Sequence, residues 1–271
     1  MKVLLSLFAF LICNGAAAVD LFDGAQPRPF SLADRLASDV TIGGYPIWQA
    51  EGKWRIANIS QYSSGGSAMP VPLGVLDVFQ TDEKKFVAVM RVTANLAQAT
   101  AGDWTDSPCK RDDMLFKATI GGSFANVNCV TINHVAGFPG NPSGKAAELF
   151  SLFKEQGVEV PPTVIQVAFT RYTNNLRRLQ VLLYVNPELA GFARDSEPLW
   201  GRNSWHKSQS ASDADKRRFI GTLSEWALRF GKQMDFAFDK KADAFTGVES
   251  WRSVYAVKQQ AIPVATRISL D

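Results

Sequence analysis

The chain has 271 residues, of which 46% are apolar and 20% charged, a balance typical of folded globular proteins rather than disordered or fibrous ones. Its formal net charge of +3 is too small to indicate binding to nucleic acid or to an anionic membrane surface. Three cysteines exclude a disulfide-dense scaffold, a four-cysteine zinc site and a self-contained iron–sulfur cluster. Two histidines leave little room for a histidine-rich metal site, and we predict neither a metal nor a cofactor.

The first 18 residues have the pattern of a secretory signal peptide. Lys2 supplies a minimal positive start, residues 3–13 form an apolar run, and small residues follow at Ala16 and Ala18. The run is far shorter than the roughly 20 apolar residues that cross a bilayer. We therefore predict that residues 1–18 are removed, and that the mature chain is exported to the periplasm or beyond the cell without a membrane span.

The segment between residues 31 and 134 predicts a short helix followed by β-structure. Ser31 is placed to cap a helix over residues 31–36. Runs that alternate apolar and polar residues, or that are rich in β-forming residues, then predict strands. These strands cover residues 54–59, 75–80, 86–93, 114–120 and 125–134. The polar stretch 81–85 and the pair Gly121-Gly122 predict that the last four strands form two hairpins.

Cys109 and Cys129 remain once Cys13 is removed with the signal peptide. In an oxidising compartment such a pair most simply forms a disulfide. The bond would close a loop of about 20 residues and stabilise the fold by on the order of 3 kcal/mol. The alternative is a catalytic cysteine that works with His134 or His206.

A loop rich in glycine and proline, residues 137–144, leads into a predicted helix over residues 145–156. The arrangement has the context of a phosphate-binding loop, but Pro139 replaces its first glycine and Ala146 replaces its magnesium-binding Ser or Thr. Nucleotide hydrolysis is therefore not predicted. Either the amides at the helix start hold an anion beside Lys145, or the turn only caps the helix.

The clearest β-pattern is a hairpin made of residues 165–170 and 179–185, joined by the turn-forming residues 173–175. A long helix begins at about Asp213 and has Ser212 as its predicted cap. The apolar stripe of this helix consists of Phe219, Ile220, Leu223, Trp226, Ala227, Phe230 and Met234.

The order of the elements predicts the fold class. Strands come first and two main helices are interleaved later, which favours an α+β fold. We expect a largely antiparallel sheet of hairpins with both main helices packed on one face. Residues 19–271 are expected to form a single exported domain, the alternative being a split near residue 140. Residues 261–270 are compatible with a final strand.

Residues 186–212 form a segment without clear periodicity that exceeds the ~12–15 residues beyond which structureless loops are uncommon. Its apolar residues predict an ordered loop packed by its own aromatic side chains. Indole faces, a guanidinium and an imidazole suit a ligand or partner surface. The candidate binding residues are Trp200, Arg202, Asn203, Trp205 and His206. The alternative is a lid whose tryptophans cover the edge of the core.

The sequence is compatible with two alternative functions. The first is an exported binding module that presents the loop of residues 186–212 to an unknown ligand or protein partner, since no set of nucleophile, base and orienting group can be identified. The second is an exported hydrolase that uses His206, or alternatively His134, as general base. A pocket position for His206, within hydrogen-bond reach of a Ser, Asp or Glu, would favour the enzyme.

Overall fold

The computed structural model describes residues 18–48, 52–64, 70–97, 107–123, 126–173, 177–241 and 243–255. The strands, numbered in chain order, are β1 (Val19–Asp20), β2 (Phe22–Asp23), β3 (Gln26–Pro27), β4 (Val40–Ile42), β5 (Tyr45–Pro46), β6 (Arg55–Ser64), β7 (Val71–Asp82), β8 (Lys85–Asn95), β9 (Phe116–Ser123), β10 (Asn126–Ala136), β11 (Thr163–Tyr172) and β12 (Arg178–Val185). The helices are α1 (Ser107–Lys110), α2 (Lys145–Glu155), α3 (Lys207–Ser210) and α4 (Ala214–Phe238), with 3-10 helices over Pro187–Ala190 and Trp251–Tyr255. In these ranges no helix has both the length and the apolar character that crossing a membrane requires.

Seven strands form one sheet in the order β6-β7-β8-β12-β11-β10-β9, and every neighbouring pair in it is antiparallel. The pairs β7–β8, β9–β10 and β11–β12 are the predicted hairpins. The predicted α+β class and its antiparallel sheet are therefore confirmed. Two of the hairpins meet through β8 and β12, where Val92 lies opposite Val181 and Met90 opposite Leu183.

The two main helices cover opposite faces of this sheet. Successive residues of a strand point to alternate faces, so Phe169 and Val164 of β11 lie on different sides. Phe169 contacts Phe230 of α4, with ring centroids 4.3 Å apart. Val164 packs in a separate cluster with Phe153 of α2. The two sides are named the α4 face and the α2 face below.

The expectation that both helices pack on one face is therefore corrected. The apolar stripe of a helix shows that one side of it is buried, but it does not show which face of a sheet it meets. The strand patterns carry that information, because β11 has buried residues at nearly consecutive positions. A strand buried on both sides needs a covering layer on each face.

The predicted long helix is confirmed, and all seven residues of its apolar stripe are buried in α4. Its cap differs from the prediction. Asp213 Oδ1 accepts hydrogen bonds from the amides of Asp215 and Lys216, both at 3.0 Å. Ser212 instead donates its hydroxyl to the carbonyl of Gln209. The cap is thus one residue later than expected.

Residues 31–36 form a turn and an extended bridge rather than the predicted helix. Asp34 Oδ2 accepts a hydrogen bond from the Ser31 amide at 2.7 Å. The Ala33 amide donates to the Ile56 carbonyl, and the Ile56 amide donates to the Asp34 carbonyl. Because β6 takes these backbone groups, they are not available for a helix.

The predicted glycine turn is wrong, and two other predicted segments lie outside the described residues. Gly121 and Gly122 lie within β9 instead of forming its turn. The turn between β9 and β10 lies outside the described residues, as does the predicted strand 261–270. The predicted signal peptide, residues 1–18, also lies outside them apart from Ala18, and it stays a prediction.

Cys109 and Cys129 form a disulfide, with Cα atoms 5.9 Å apart, which joins α1 to β10. The predicted pairing is therefore confirmed. Since both sulfur atoms are used in the bond, neither residue is a free thiol in this structure, and the alternative of a catalytic cysteine is not supported.

Candidate ligand-binding cleft

The loop of residues 186–212 is ordered by its own side chains. Asn203 is fully buried, where its Nδ2 donates to Thr163 Oγ1 at 2.8 Å and its Oδ1 accepts from the Trp205 amide at 3.0 Å. Trp205 is 1% exposed and packs against Phe192, with ring centroids 4.8 Å apart. These two predicted binding residues therefore fill the interior of the protein.

The other predicted binding residues reach the surface. Arg202 is exposed, and Trp200 and His206 are half-buried. The Trp200 indole contacts His206 edge to face at 4.5 Å and stacks on the buried His134 at 5.1 Å, measured between ring centroids. The structure thus brings both histidines of the chain into one aromatic cluster, which the sequence did not predict.

His206 makes the contact with a serine that a general base requires. Its Nδ1 lies 2.7 Å from Ser208 Oγ. The Ser208 amide also donates to Nδ1, at 3.4 Å, so His206 serves as the N-cap of α3. Among the described residues no carboxylate hydrogen-bonds to the other ring nitrogen, so the orienting group of a catalytic triad is not observed.

A second serine lies beside a basic group. Lys216 Nζ is 2.7 Å from Ser204 Oγ, and burial lowers the pKa of this lysine. However, Nζ also donates to the Ser204 carbonyl at 2.8 Å. The amides that could bind an oxyanion are already used, that of Ser204 by Asp195 Oδ2 and that of Trp205 by Asn203 Oδ1. The contact therefore ties the loop to α4.

A cleft of about 390 Å³ opens on the α2 face, between α2 and the sheet. This volume lies within the range of small-molecule sites, roughly 300–1,000 Å³. Its main apolar lining consists of Val89, Val135, Phe138, Ala146, Leu149 and Phe150. Its polar lining consists of Asn58, Asp77, Arg91, Gln166 and Tyr184. The cleft therefore combines an apolar wall with a few polar groups.

The loop of residues 137–144 positions the aromatic wall. The Phe138 amide donates to the Pro162 carbonyl at 2.7 Å, which anchors the loop to the start of β11. The Phe138 ring stacks on Tyr184, with centroids 6.1 Å apart, and meets Phe150 of α2 edge to face at 5.6 Å. The loop that lacked the phosphate-binding motif thus places an aromatic ring over the cleft.

Cross-strand neighbours form the polar side of the cleft. Asp77 and Arg91 lie directly opposite each other, and Arg91 donates its Nε to Oδ1 at 2.6 Å and its Nη2 to Oδ2 at 3.1 Å. Asn58, opposite Asp77 on β6, donates to the same Oδ2 at 3.2 Å. Gln166 and Tyr184 are likewise opposite, and Gln166 Nε2 donates to the Tyr184 hydroxyl at 2.9 Å.

Local contacts fix the protonation states of two of these groups. The hydrogen bond to Asp77 raises the pKa of the Arg91 guanidinium, which therefore stays charged. Burial raises the pKa of the Tyr184 phenol, which therefore keeps its proton at neutral pH. The lining of the cleft thus contains a cation and a neutral hydroxyl on the neighbouring strands β8 and β12.

Local sequence patterns do not predict this cleft. Its residues come from β6, β7, β8, β11, β12 and the loop before α2, which become neighbours only through long-range strand pairing. One local signal was present. Asp77, Arg91 and Gln166 interrupt apolar strands, and a polar group in such a place needs a partner or a function.

Within the described ranges, no group of three or more His, Cys, Asp or Glu side chains is placed to hold a metal ion. No protein-family model matches the chain, and no curated protein matches it with significant similarity. Function is therefore inferred from the geometry of the cleft.

Proposed function

We propose that this protein is an exported binding protein that holds a small, mainly apolar ligand in the α2-face cleft. The observation that carries the proposal is the lining of the cleft, in which aromatic and aliphatic side chains surround a few convergent polar groups. Small-molecule sites have this composition, because apolar walls supply affinity and a few polar atoms fix orientation.

The cleft is a better ligand site than the loop of residues 186–212. Trp200, Arg202 and His206 offer polar and aromatic groups at the surface, and binding by these three residues stays a prediction. Two of the five residues proposed from the sequence, Asn203 and Trp205, are buried and hydrogen-bonded or packed internally. A concave site removes more of a small ligand from water than such a surface does.

Binding is also favoured over hydrolysis. The contacts at His206 and at Lys216 each provide a serine and a basic group, but they have the geometry of a helix cap and of a loop tie. His134 has its Nε2 engaged by the Trp200 carbonyl at 3.0 Å. The remaining ring nitrogen of His134, Nδ1, is buried and no described serine hydroxyl contacts it. Among the described residues, none of the three groups combines an accessible base, a nucleophile and free oxyanion donors, which acyl transfer requires.

Two observations support export as part of the proposal. The Cys109–Cys129 disulfide is typical of proteins in oxidising compartments. In addition, β1 begins at Val19, the first residue of the predicted mature chain. Mass spectrometry of the protein from the exported fraction should find Val19 at the N-terminus and a gain of two hydrogen atoms on reduction. Retention of Met1, with Cys109 and Cys129 both reduced, would contradict export.

The cleft can be tested with N-phenyl-1-naphthylamine, a neutral fluorophore whose emission rises in apolar surroundings. The variant Ala146→Trp places an indole into the cleft from α2. We expect the wild-type protein to bind one equivalent of the probe, and the variant to bind it at least roughly tenfold more weakly, which corresponds to about 1.4 kcal/mol.

Ser151→Trp is the matched control, because Ser151 lies on the same helix and is exposed. This variant adds the same indole outside the cleft and should bind the probe as the wild type does. Equal binding by wild type and Ala146→Trp, with both variants folded, would show that the probe does not occupy the cleft and would contradict the proposal.

A further inference from the structure

The polar side of the cleft has two hydrogen-bond donors that the protein does not use. Arg91 binds Asp77 through Nε and Nη2, and no described group hydrogen-bonds to its Nη1. The Tyr184 oxygen accepts a hydrogen bond from Gln166, and no described group accepts the hydroxyl proton. Both donors belong to residues that line the cleft. A ligand that matches them must offer acceptor atoms.

The charge that the Asp77–Arg91 pair presents is positive. The Asp77 side chain is 11% exposed, whereas the Arg91 side chain is 48% exposed. Asp77 is also bound by Asn58, so its two oxygens are occupied by the protein. The carboxylate therefore orients the guanidinium in advance, and the accessible part of the pair is the cation. A fixed guanidinium loses less entropy when it binds a ligand.

We infer that the cleft binds a small organic acid with an apolar ring or short acyl chain, and that its carboxylate accepts hydrogen bonds from Arg91 and Tyr184. This inference rests on the proposed binding function. The apolar body of the ligand would lie against Phe138 and Phe150. A carboxylate has two acceptor oxygens, which matches two donors from different strands, and its charge complements the guanidinium.

The test compares acids with their alcohols by isothermal titration calorimetry near neutral pH. The probes are 4-phenylbutyrate and octanoate, together with 4-phenylbutan-1-ol and 1-octanol. We expect the wild-type protein to bind each acid roughly tenfold or more tightly than its alcohol, the effect of one charge-assisted hydrogen bond. The alcohols measure the apolar contribution alone.

The double variant Asp77→Asn/Arg91→Gln removes both charges together, so that no buried carboxylate is left unpaired. We expect it to lose the preference for acids while its affinity for the alcohols changes less than about twofold, because only the charge-assisted contact is removed. Tyr184→Phe keeps the ring and removes the hydroxyl, and should weaken acid binding by roughly fivefold. Arg229→Gln, which breaks the exposed ion pair between Arg229 of α4 and Glu249, is the control and should change neither affinity.

The outcomes distinguish binding in the cleft from the specific preference for organic acids. Acids and alcohols that bind the wild type equally well would leave the cleft as a binding site and overturn the assignment to organic acids. A preference for acids that survives in both the double variant and Tyr184→Phe would also overturn the roles of Arg91 and Tyr184. If none of the four probes binds the wild type, the proposed function itself is contradicted.

Discussion

The imidazole of His134 lies nearly parallel to the indole of Trp200, with ring centroids 5.1 Å apart and an interplanar angle of 13°. His134 Nε2 also lies 3.0 Å from the Trp200 carbonyl oxygen, and since a carbonyl can only accept, Nε2 carries the proton. Nδ1 is then an acceptor, and it is buried with no hydrogen-bond partner among the described residues. This pair fastens the loop of residues 186–212 to the end of β10.

The burial of His134 predicts that the fold weakens in mild acid. Burial lowers the pKa of His134 below its ordinary value of 6.5 in the folded protein. As the pH falls below about 6.5, the unfolded chain takes up a proton at this residue before the folded chain does, so the free energy of unfolding decreases. The decrease stops below the pKa of the folded state, where both states are protonated.

The measurement is urea-induced unfolding of the wild type and of His134→Gln between about pH 8 and pH 5. The variant retains every carboxylate and can still donate to the Trp200 carbonyl, so the difference between the two curves isolates the imidazole. We expect the wild type to lose more stability than the variant on acidification. Parallel curves would refute a buried neutral imidazole.

Trp205 and Arg202 are expected to respond differently to truncation. Trp205 is 1% exposed and packs against Phe192 and Phe219, so Trp205→Ala should lower the free energy of unfolding by about 3–5 kcal/mol. Arg202 is exposed, and Arg202→Ala should change the free energy of unfolding by less than about 0.5 kcal/mol. Chemical denaturation measures both. A small effect of Trp205→Ala would mean that the indole is free to serve at the surface.

Alanine substitution at two glycines of α4 should change the stability of the protein in opposite directions. Gly221 has open space around its missing Cβ, so Gly221→Ala should stabilise the protein by about 0.5–1 kcal/mol. A Cβ at Gly231 would overlap Ile120 and lie 2.9 Å from Val130 Cγ2. Gly231→Ala should therefore destabilise by about 1 kcal/mol or more. Thermal melts of the pair test how closely α4 packs on β9 and β10, and stabilisation by both substitutions would contradict the close contact.

The start of α4 gives a further matched pair. Asp213 caps two amides, so Asp213→Ala should cost about 1 kcal/mol of unfolding free energy. Ser212, which the sequence favoured as cap, donates its hydroxyl to the Gln209 carbonyl and accepts from no described amide, so Ser212→Ala should change stability by less than about 0.5 kcal/mol. Urea unfolding distinguishes them, and a larger effect at Ser212 would restore the cap predicted from sequence.

Features that depend on local sequence patterns are predictable, whereas those set by backbone geometry or by distant strands are not. Hairpins such as β11–β12 are predictable because alternation and turn residues are local, and the apolar stripe of α4 is local in the same sense. The cap of α4 was placed one residue early because Ser212 and Asp213 are both good acceptors and only their backbone geometry separates them. Residues 31–36 were misjudged because β6, distant in sequence, takes their backbone hydrogen bonds.

The candidate site was harder to predict for the same reason. Asp77 and Arg91 are 14 residues apart, and they meet only because β7 and β8 pair in one particular register. Phe138 comes from a loop whose most visible sequence feature is an incomplete phosphate-binding motif, which carries no information about an aromatic wall. Trp205 was judged by the chemistry of its indole, whereas burial decides whether that chemistry is available.

The most direct test of ligand binding in the α2-face cleft is a titration of the isotope-labelled protein with 4-phenylbutyrate, followed by backbone amide chemical shifts. We expect the largest shifts at the cleft-lining residues Val89, Arg91, Ala146, Leu149, Phe150 and Tyr184. We expect little change around Trp200 and His206. Shifts concentrated at Trp200 and His206, with the cleft residues unmoved, would contradict the assignment.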